Sequence, residues 1–449
     1  MFDKIKKLSE NDKIVLANVS GAFLVKGLGL IVSMLTLPAY MRFFSNQQVL
    51  GVWYTVLSVL SWILNFDLGI GNGLRNHLTI ALQEKNNEKI KKYVSSAYIM
   101  IGKIVIPVMV VCLFFSAWVD WNAIFNISPL LVSSEDLLFV VRCALIGILA
   151  QFFFRLISSI LYALQYSAVN NAIALATSVL QLIVALIAPN YGAVYSLRMF
   201  SFLNIFCTNV PLIVATAFVF VRVMPYAWPS FKYYESSTAR SVLSLGGMFF
   251  ICQILYMCIA NTNEFLITNY YGPENVVDYQ VYNRIFTLSS TVVMLALTPV
   301  WSAVSKAMAE KDYVWLKKLL KYLNGLALLA IVGEFLLVFI AQPFADIWLG
   351  GETIRIDYKY ALYFALFGSV MLYQSMISTF TNGLGRMKIQ AICYSVGVLF
   401  KFLIIHFGSQ YFAGWGIVVL SNGLILIPYC IIQYFDISRL INAKCLENE

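Results

Sequence analysis

Long apolar runs alternate with short polar interruptions along almost the whole chain of 449 residues. A helix needs about 20 apolar residues to cross a bilayer core, and on that measure the pattern predicts twelve membrane helices. The first six are expected over residues 14–38, 49–82, 94–118, up to 165, 172–188 and 195–221. The second is longer than a bilayer requires, so it should tilt, bend across residues 69–73 or protrude. A polar connection over residues 222–240, with Pro225, Pro229, Lys232 and Tyr233, divides the chain into lobes of residues 1–224 and 225–449. Helices of the second lobe are expected to begin near Ser241, Tyr279, Lys321, Tyr360, Ala391 and Trp415. The fold class is an all-α polytopic membrane protein in two pseudo-symmetric six-helix bundles.

The two lobes echo each other. Ala81, Leu82, Glu84, Lys85, Lys91 and Lys92 are matched by Ala307, Met308, Glu310, Lys311, Lys317 and Lys318 at one constant offset of 226 positions. Gly21 and Phe23 meet Gly247 and Phe249 at the same offset. A repeated unit of this size points to a duplicated bundle, the construction of many transporters.

Composition sharpens this picture. Hydrophobic residues make up 60% of the chain, beyond an ordinary soluble domain. A net charge of +9 would suit a nucleic-acid partner, but most Lys and Arg fall in connections assigned to one side, chiefly residues 85–92, 222–240 and 306–321. That bias is the positive-inside rule, and it places both termini in the cytoplasm without invoking nucleic acid. The first apolar helix is too long for a signal-peptide core and lacks a cleavage site, so it is expected to be retained. Eight cysteines without a CxxC pair and two histidines give no basis for a disulfide framework or a metal site.

No GxxxxGK[ST] phosphate loop occurs, so ATP hydrolysis by that scheme is not expected, and neither is enzymatic activity. The informative residues are the charges inside spans. The bases are Lys26, Lys103, Arg142, Arg155, Arg198, Arg284 and Lys401, and the acids are Asp67, Glu264 and Glu334. Each costs about 2.5–3.5 kcal/mol at mid-membrane on insertion scales. Bases outnumber acids, so pairing within the membrane leaves a positive excess. An anionic, phosphate-bearing ligand would neutralise it, because guanidinium and ammonium groups bind phosphate oxygens strongly. Arg142, Arg198 and Arg284 lie near outer helix ends and Lys103 near an inner end, where reaching toward headgroups is an equal account. Lys26, Arg155 and Lys401 lie deeper and favour an aqueous interior.

Asp67, Gly71 and Arg75 follow one another at i, i+4 and i+8, along one side of a helix. Glu264 sits in the polar run NTNEFLITN beside Asn261, Thr262 and Asn263. Each acid is a candidate either for binding H⁺ or Na⁺ or for pairing with a base, Arg75 being the neighbour of Asp67; pairing is the favoured reading.

Taken in order, LTLPAYMRFFSNQQVLGVWYTVLSVLSWILNFDLGIGNGLRN, NEFLITNYYGPENVVDYQVYNRI, LTPVWSAVSKAMAEKD and TNGLGRMKIQ touch both lobes. At these motifs the chain resembles the Wzx-type polysaccharide flippases of the MOP superfamily. The resemblance implies two six-helix bundles around a central cavity that opens alternately to either side. It implies transfer of an undecaprenyl-diphosphate-linked oligosaccharide from the inner to the outer leaflet of a bacterial plasma membrane, for O-antigen, capsule or a related glycan. Lys26, Arg155, Arg284 and Lys401 would then bind the diphosphate, no cofactor would be needed, and a polysaccharide polymerase would be the partner. A cation-coupled multidrug antiporter of the same fold is the alternative, and a membrane enzyme of glycan assembly a weaker one.

Overall fold

In hydrocarbon every backbone N–H and C=O must be satisfied within the protein, so apolar runs of this length fold as helices. The computed structural model describes residues 10–65, 70–164, 166–189, 191–243, 247–350, 354–412 and 414–448, and among them helices dominate. Some helical side chains, Lys26 among them, lie outside that description, as does Asp67. The chain divides into two compact units, Met1–Gly247 and Met248–Glu449.

The first unit holds α1 (Glu10–Phe44), α2 (Gln47–Asn65), α3 (Ile70–Gln83), α4 (Asn87–Phe115), α5 (Ser134–Phe154), α6 (Leu156–Ala163), α7 (Ser167–Ile187), α8 (Ala193–Phe218) and α9 (Ser236–Leu243). The second holds α10 (Gly247–Ala260), α11 (Asn263–Tyr271), α12 (Glu274–Ala309), α13 (Tyr313–Leu349), α14 (Tyr358–Leu384), α15 (Lys388–Tyr411) and α16 (Gly416–Asn448). Counting α2 with α3, α5 with α6 and α10 with α11 as one span each gives six per unit. Among the described residues, nine helical segments are long and apolar enough to cross a membrane. The remaining three places in the plan belong to α2–α3, α10–α11 and α12.

The units use the same internal plan. In the first, α3 packs on α4 and α6, α5 on α4 and α8, and α7 on α8. In the second, α12 packs on α13 and α14, α14 on α13 and α16, and α15 on α16. The central helices are the most enclosed: two thirds of the apolar stretch of α14 and of α16 is buried, against 22% for the peripheral α13 and α15. Hydrophobic side chains therefore fill the middle of each bundle, while lipid covers its rim. The core of the second unit gathers Leu316, Leu323, Met376, Phe380, Tyr394, Leu426 and Tyr429.

The 226-residue echo continues in the backbone. Lys85 and Lys311 both adopt positive φ, 51° and 59°, a conformation that an L side chain with a Cβ adopts at a cost. Around them the Lys85 and Asn86 amides donate to the Leu82 and Ala81 carbonyls at 3.1 Å each. The Lys311 and Asp312 amides donate to Met308 at 3.3 Å and Ala307 at 2.9 Å. Each arrangement closes a helix end by wrapping its last carbonyls. The next helix starts at once, for Asn86 Oδ1 accepts from the Lys89 amide and Asp312 Oδ1 from the Trp315 amide, both at 3.0 Å. The other echoed positions, Gly21 and Phe23 with Gly247 and Phe249, have surroundings outside the described set.

Several expected boundaries shift. The basic connections at 85–92 and 306–321 are mostly helix, with α4 beginning at Asn87 and α13 at Tyr313. Lysine is a good helix former, and the Asn and Asp caps decide the start. The polar connection over residues 222–240 lies within the first compact unit. It is strapped to α4, where the Ser230 amide donates to Ser95 Oγ at 3.1 Å and the Glu235 amide to Ser96 Oγ at 3.0 Å. Lys103 of α4 lies 3.9 Å from the centre of the Tyr234 ring. This base, expected near an inner helix end, is held by an aromatic face of the connection.

Candidate functional site

The polar run NTNEFLITN is not continuous helix. α10 ends at Ala260 and α11 begins at Asn263, with Thr262 at φ −97° and ψ 0° between them. The interruption leaves carbonyls at the end of α10 without the amide that a continuous helix would supply. Into it reaches Lys401, from the middle of α15 and fully buried. Its ammonium donates to the Ile259 carbonyl, to Thr262 Oγ1 at 2.8 Å and to Asn263 Oδ1 at 2.9 Å, with the Cys258 carbonyl at 3.4 Å.

A second ring of contacts fixes these oxygens. The Thr262 hydroxyl donates to the Cys258 carbonyl at 2.8 Å, so its lone pairs turn toward Lys401. Asn263 Nδ2 donates to the Tyr279 hydroxyl at 3.1 Å, which aims Oδ1 the other way. Asn422 Nδ2, from α16, adds a donor to the same Oδ1 at 2.9 Å. Beside them Glu264 accepts from Gln280 Nε2 of α12 at 3.0 Å. Five helical segments, α10, α11, α12, α15 and α16, thus converge on one cation and one carboxylate.

The other predicted residues have different surroundings. Arg155 sits at the joint of α5 and α6 and is exposed, though not without partners. Arg284 is half-buried on α12 and likewise partnered. Arg75 is exposed on α3, its guanidinium 4.9 Å from the centre of the Tyr162 ring, whose hydroxyl accepts from Asn170 of α7 at 2.9 Å. Asp67 and the Lys26 side chain lie outside the described residues. Arg155 belongs to the first unit, with Lys26, and Arg284 and Lys401 to the second.

Two bases assigned to outer helix ends are held there. Arg198 pairs with Asp136 at 2.7 Å, and Arg142 Nε donates to Ser116 Oγ at 3.1 Å. Two buried polar groups received no role from the sequence: Glu334, counted there only as an intramembrane acid, and a cluster that starts on α14. Glu334 of α13 is fully enclosed against Gly368 of α14, where a Cβ would come within 3.0 Å of its carboxyl group. Gln374, Ser378, Tyr394 and Tyr429 form a buried hydrogen-bonded chain across α14, α15 and α16. The signal for that chain was present, since Gln374 and Ser378 recur at i and i+4 on an otherwise apolar helix.

No family model matches the chain. It is 22% identical, over 75% of its length and 76% of the other's, to a protein of Yersinia pseudotuberculosis provisionally named an O-antigen export protein. Among solved structures it resembles an inward-facing multidrug resistance MATE transporter of the MOP superfamily, with a TM-score of 0.75 over 92% of this chain and 95% of that one at 13% identity. An outward-facing MATE transporter of the same superfamily matches with a TM-score of 0.60 over 95% and 96% of the two chains at 16% identity. The chain therefore has the fold of the MOP superfamily, and the resemblance to its Wzx-type members read from the sequence stands.

Proposed function

We propose that the chain is a flippase that moves undecaprenyl-diphosphate-linked oligosaccharide repeat units from the cytoplasmic to the outer leaflet of the plasma membrane, for surface polysaccharide assembly. The observation that carries the reading is the similarity to the Yersinia O-antigen export protein along three quarters of the chain. The excess of bases over acids inside the predicted spans supports it independently, because guanidinium and ammonium groups bind phosphate oxygens strongly. The lipid tail would stay in the bilayer while the sugars and diphosphate pass through the protein. Both termini would be cytoplasmic, and a polysaccharide polymerase would receive the product.

Arg155 and Arg284, with Lys26, are the bases assigned here to the diphosphate. Lys401, expected from the sequence to bind the diphosphate as well, is left out of that set because its donors are engaged inside the second unit. Coupling to an H⁺ or Na⁺ gradient would use Asp67 or Glu264; transport that persists when both gradients are collapsed removes that role.

The test is the accessibility of polyprenyl-diphosphate glycans to an external lectin or glycosidase in spheroplasts. With the chain deleted, outer-leaflet exposure should disappear while lipid-linked glycan accumulates inside. Arg155→Ala and Arg284→Ala should each lower exposure about tenfold, the value of one charge-assisted hydrogen bond of ~1.4 kcal/mol or more, and should do so more strongly together. Unchanged exposure on deletion, in a strain without a second flippase, would favour the drug-antiporter reading that the MATE fold also allows.

A further inference from the structure

The surroundings of Lys401 are those of a bound cation rather than of an ordinary buried lysine. An ammonium has three N–H donors, yet four oxygens lie around this one, so at least one is held by charge alone. Two of the four are main-chain carbonyls at the C-terminal end of α10. The negative end of the helix dipole points there, and interrupted membrane helices use such carbonyls to hold small cations. Of the other two, Thr262 Oγ1 is oriented by donating its proton to the Cys258 carbonyl within the cage, and Asn263 Oδ1 is turned inward by the bond its own Nδ2 donates to Tyr279. Asn422 Oδ1 is buried close by without a hydrogen-bond partner. It is a further neutral oxygen beside the cage, joined to it through Asn263.

A ring of neutral oxygens around a positive centre is oxygen-ligand chemistry for a small monovalent cation. We infer that the break between α10 and α11 is a cation-binding cage and that the Lys401 ammonium is its resident ion, supplied by the chain itself. The ion holds α15 against the break and satisfies the carbonyls that the interruption freed. Because it is covalently attached, the cage in the native protein is closed to dissolved Na⁺ and K⁺. Any dependence of transport on such an ion then arises elsewhere. The inference concerns the second unit alone and holds whatever the cargo is.

Removing the side chain should open the cage to a free cation. The experiment is thermal unfolding of the purified full-length protein in lipid nanodiscs, in choline chloride against NaCl, KCl and NH₄Cl at equal ionic strength. The native protein should unfold at one temperature in all four. Lys401→Ala should unfold about 5–10 °C lower in choline, and at least one small cation should restore it with saturable concentration dependence. Lys401→Met, which refills the space without charge, should be low in every salt. An alanine variant as stable as the native protein in choline, or one that no small cation restores, overturns the inference. Asn263→Ala provides an independent arm, for it keeps the ammonium and removes one ligand oxygen. Its midpoint should fall, and an unchanged midpoint would likewise overturn the cage. Because the readout is stability, failure here leaves the flippase reading untouched, and failure of that reading leaves the cage.

Discussion

Arg155 and Lys401 are both bases at deep positions beside interruptions in membrane helices, and the protein uses them in opposite ways. At the α5–α6 joint the backbone repairs itself. The Arg155 amide donates to the Gln151 carbonyl at 2.8 Å and the Ser158 amide to the Arg155 carbonyl at 2.9 Å. The ladder is tightened by one residue and the guanidinium is left exposed. At the α10–α11 break the ladder stops, and a side chain from another helix fills the gap. The difference teaches that depth and sign alone do not assign an intramembrane base. What matters is whether the helix beside it has backbone groups to satisfy, because an unsatisfied carbonyl in hydrocarbon costs several kcal/mol.

The largest expected effect separates the two directly. Lys401→Ala should cost about 3–5 kcal/mol of stability, because it leaves several buried oxygens without their donor, whereas Arg155→Ala, at an exposed position, should cost about 1 kcal/mol or less. Denaturant unfolding of both variants measures this, and equal losses would erase the distinction drawn between the joints. Transport should rank them the other way, with Arg155→Ala reducing export while the protein remains folded.

A smaller effect compares the two units at their repeated turn. Asn86→Ala and Asp312→Ala each remove a cap that accepts from an amide at 3.0 Å, and each should cost about 1 kcal/mol. Matching losses would show that the repeat is energetic as well as geometric. A loss at one cap alone would mean that tertiary packing has taken over that helix start.

The smallest effect concerns the connection strapped to α4. The carboxyl group of Glu235 is held below its ordinary value of 4.5, first by the Thr238 hydroxyl and then by Lys92. A depressed folded-state value means the contribution is present above 4.5 and lost as pH falls through the folded value. Protection of the connection from hydrogen exchange should therefore be lower in Thr238→Ala than in the native protein at neutral pH, and the two should converge in acid. Lys92 stands 4.0 Å from the same carboxylate, both groups being well exposed, so salt should weaken its part of the effect.

The number of spans and the duplication were legible because each rests on local pattern: apolar length and a constant offset. Helix ends were less so. Lys317 and Lys318 read as loop from polarity, yet they lie in the first turns of α13 because Asp312 caps it. The break at Asn261 and Thr262 had a visible signal in four consecutive polar residues, Asn261 to Glu264, inside an apolar run. What was not visible was its partner, 138 positions away along the chain.

The sequence by itself determined that this is an all-α membrane protein built twice from one plan, with more intramembrane bases than acids. Hydrophobic length and charge placement act residue by residue against the bilayer, and they require no knowledge of the folded neighbours. Only the tertiary structure decided what each base does. Lys401 became part of the interior because α15 packs where it meets open carbonyls, Arg198 found Asp136 across two helices, and Arg155 kept its head exposed. A charge in a membrane takes its role from the oxygens within about 3 Å, and which oxygens those are is settled by packing between distant segments.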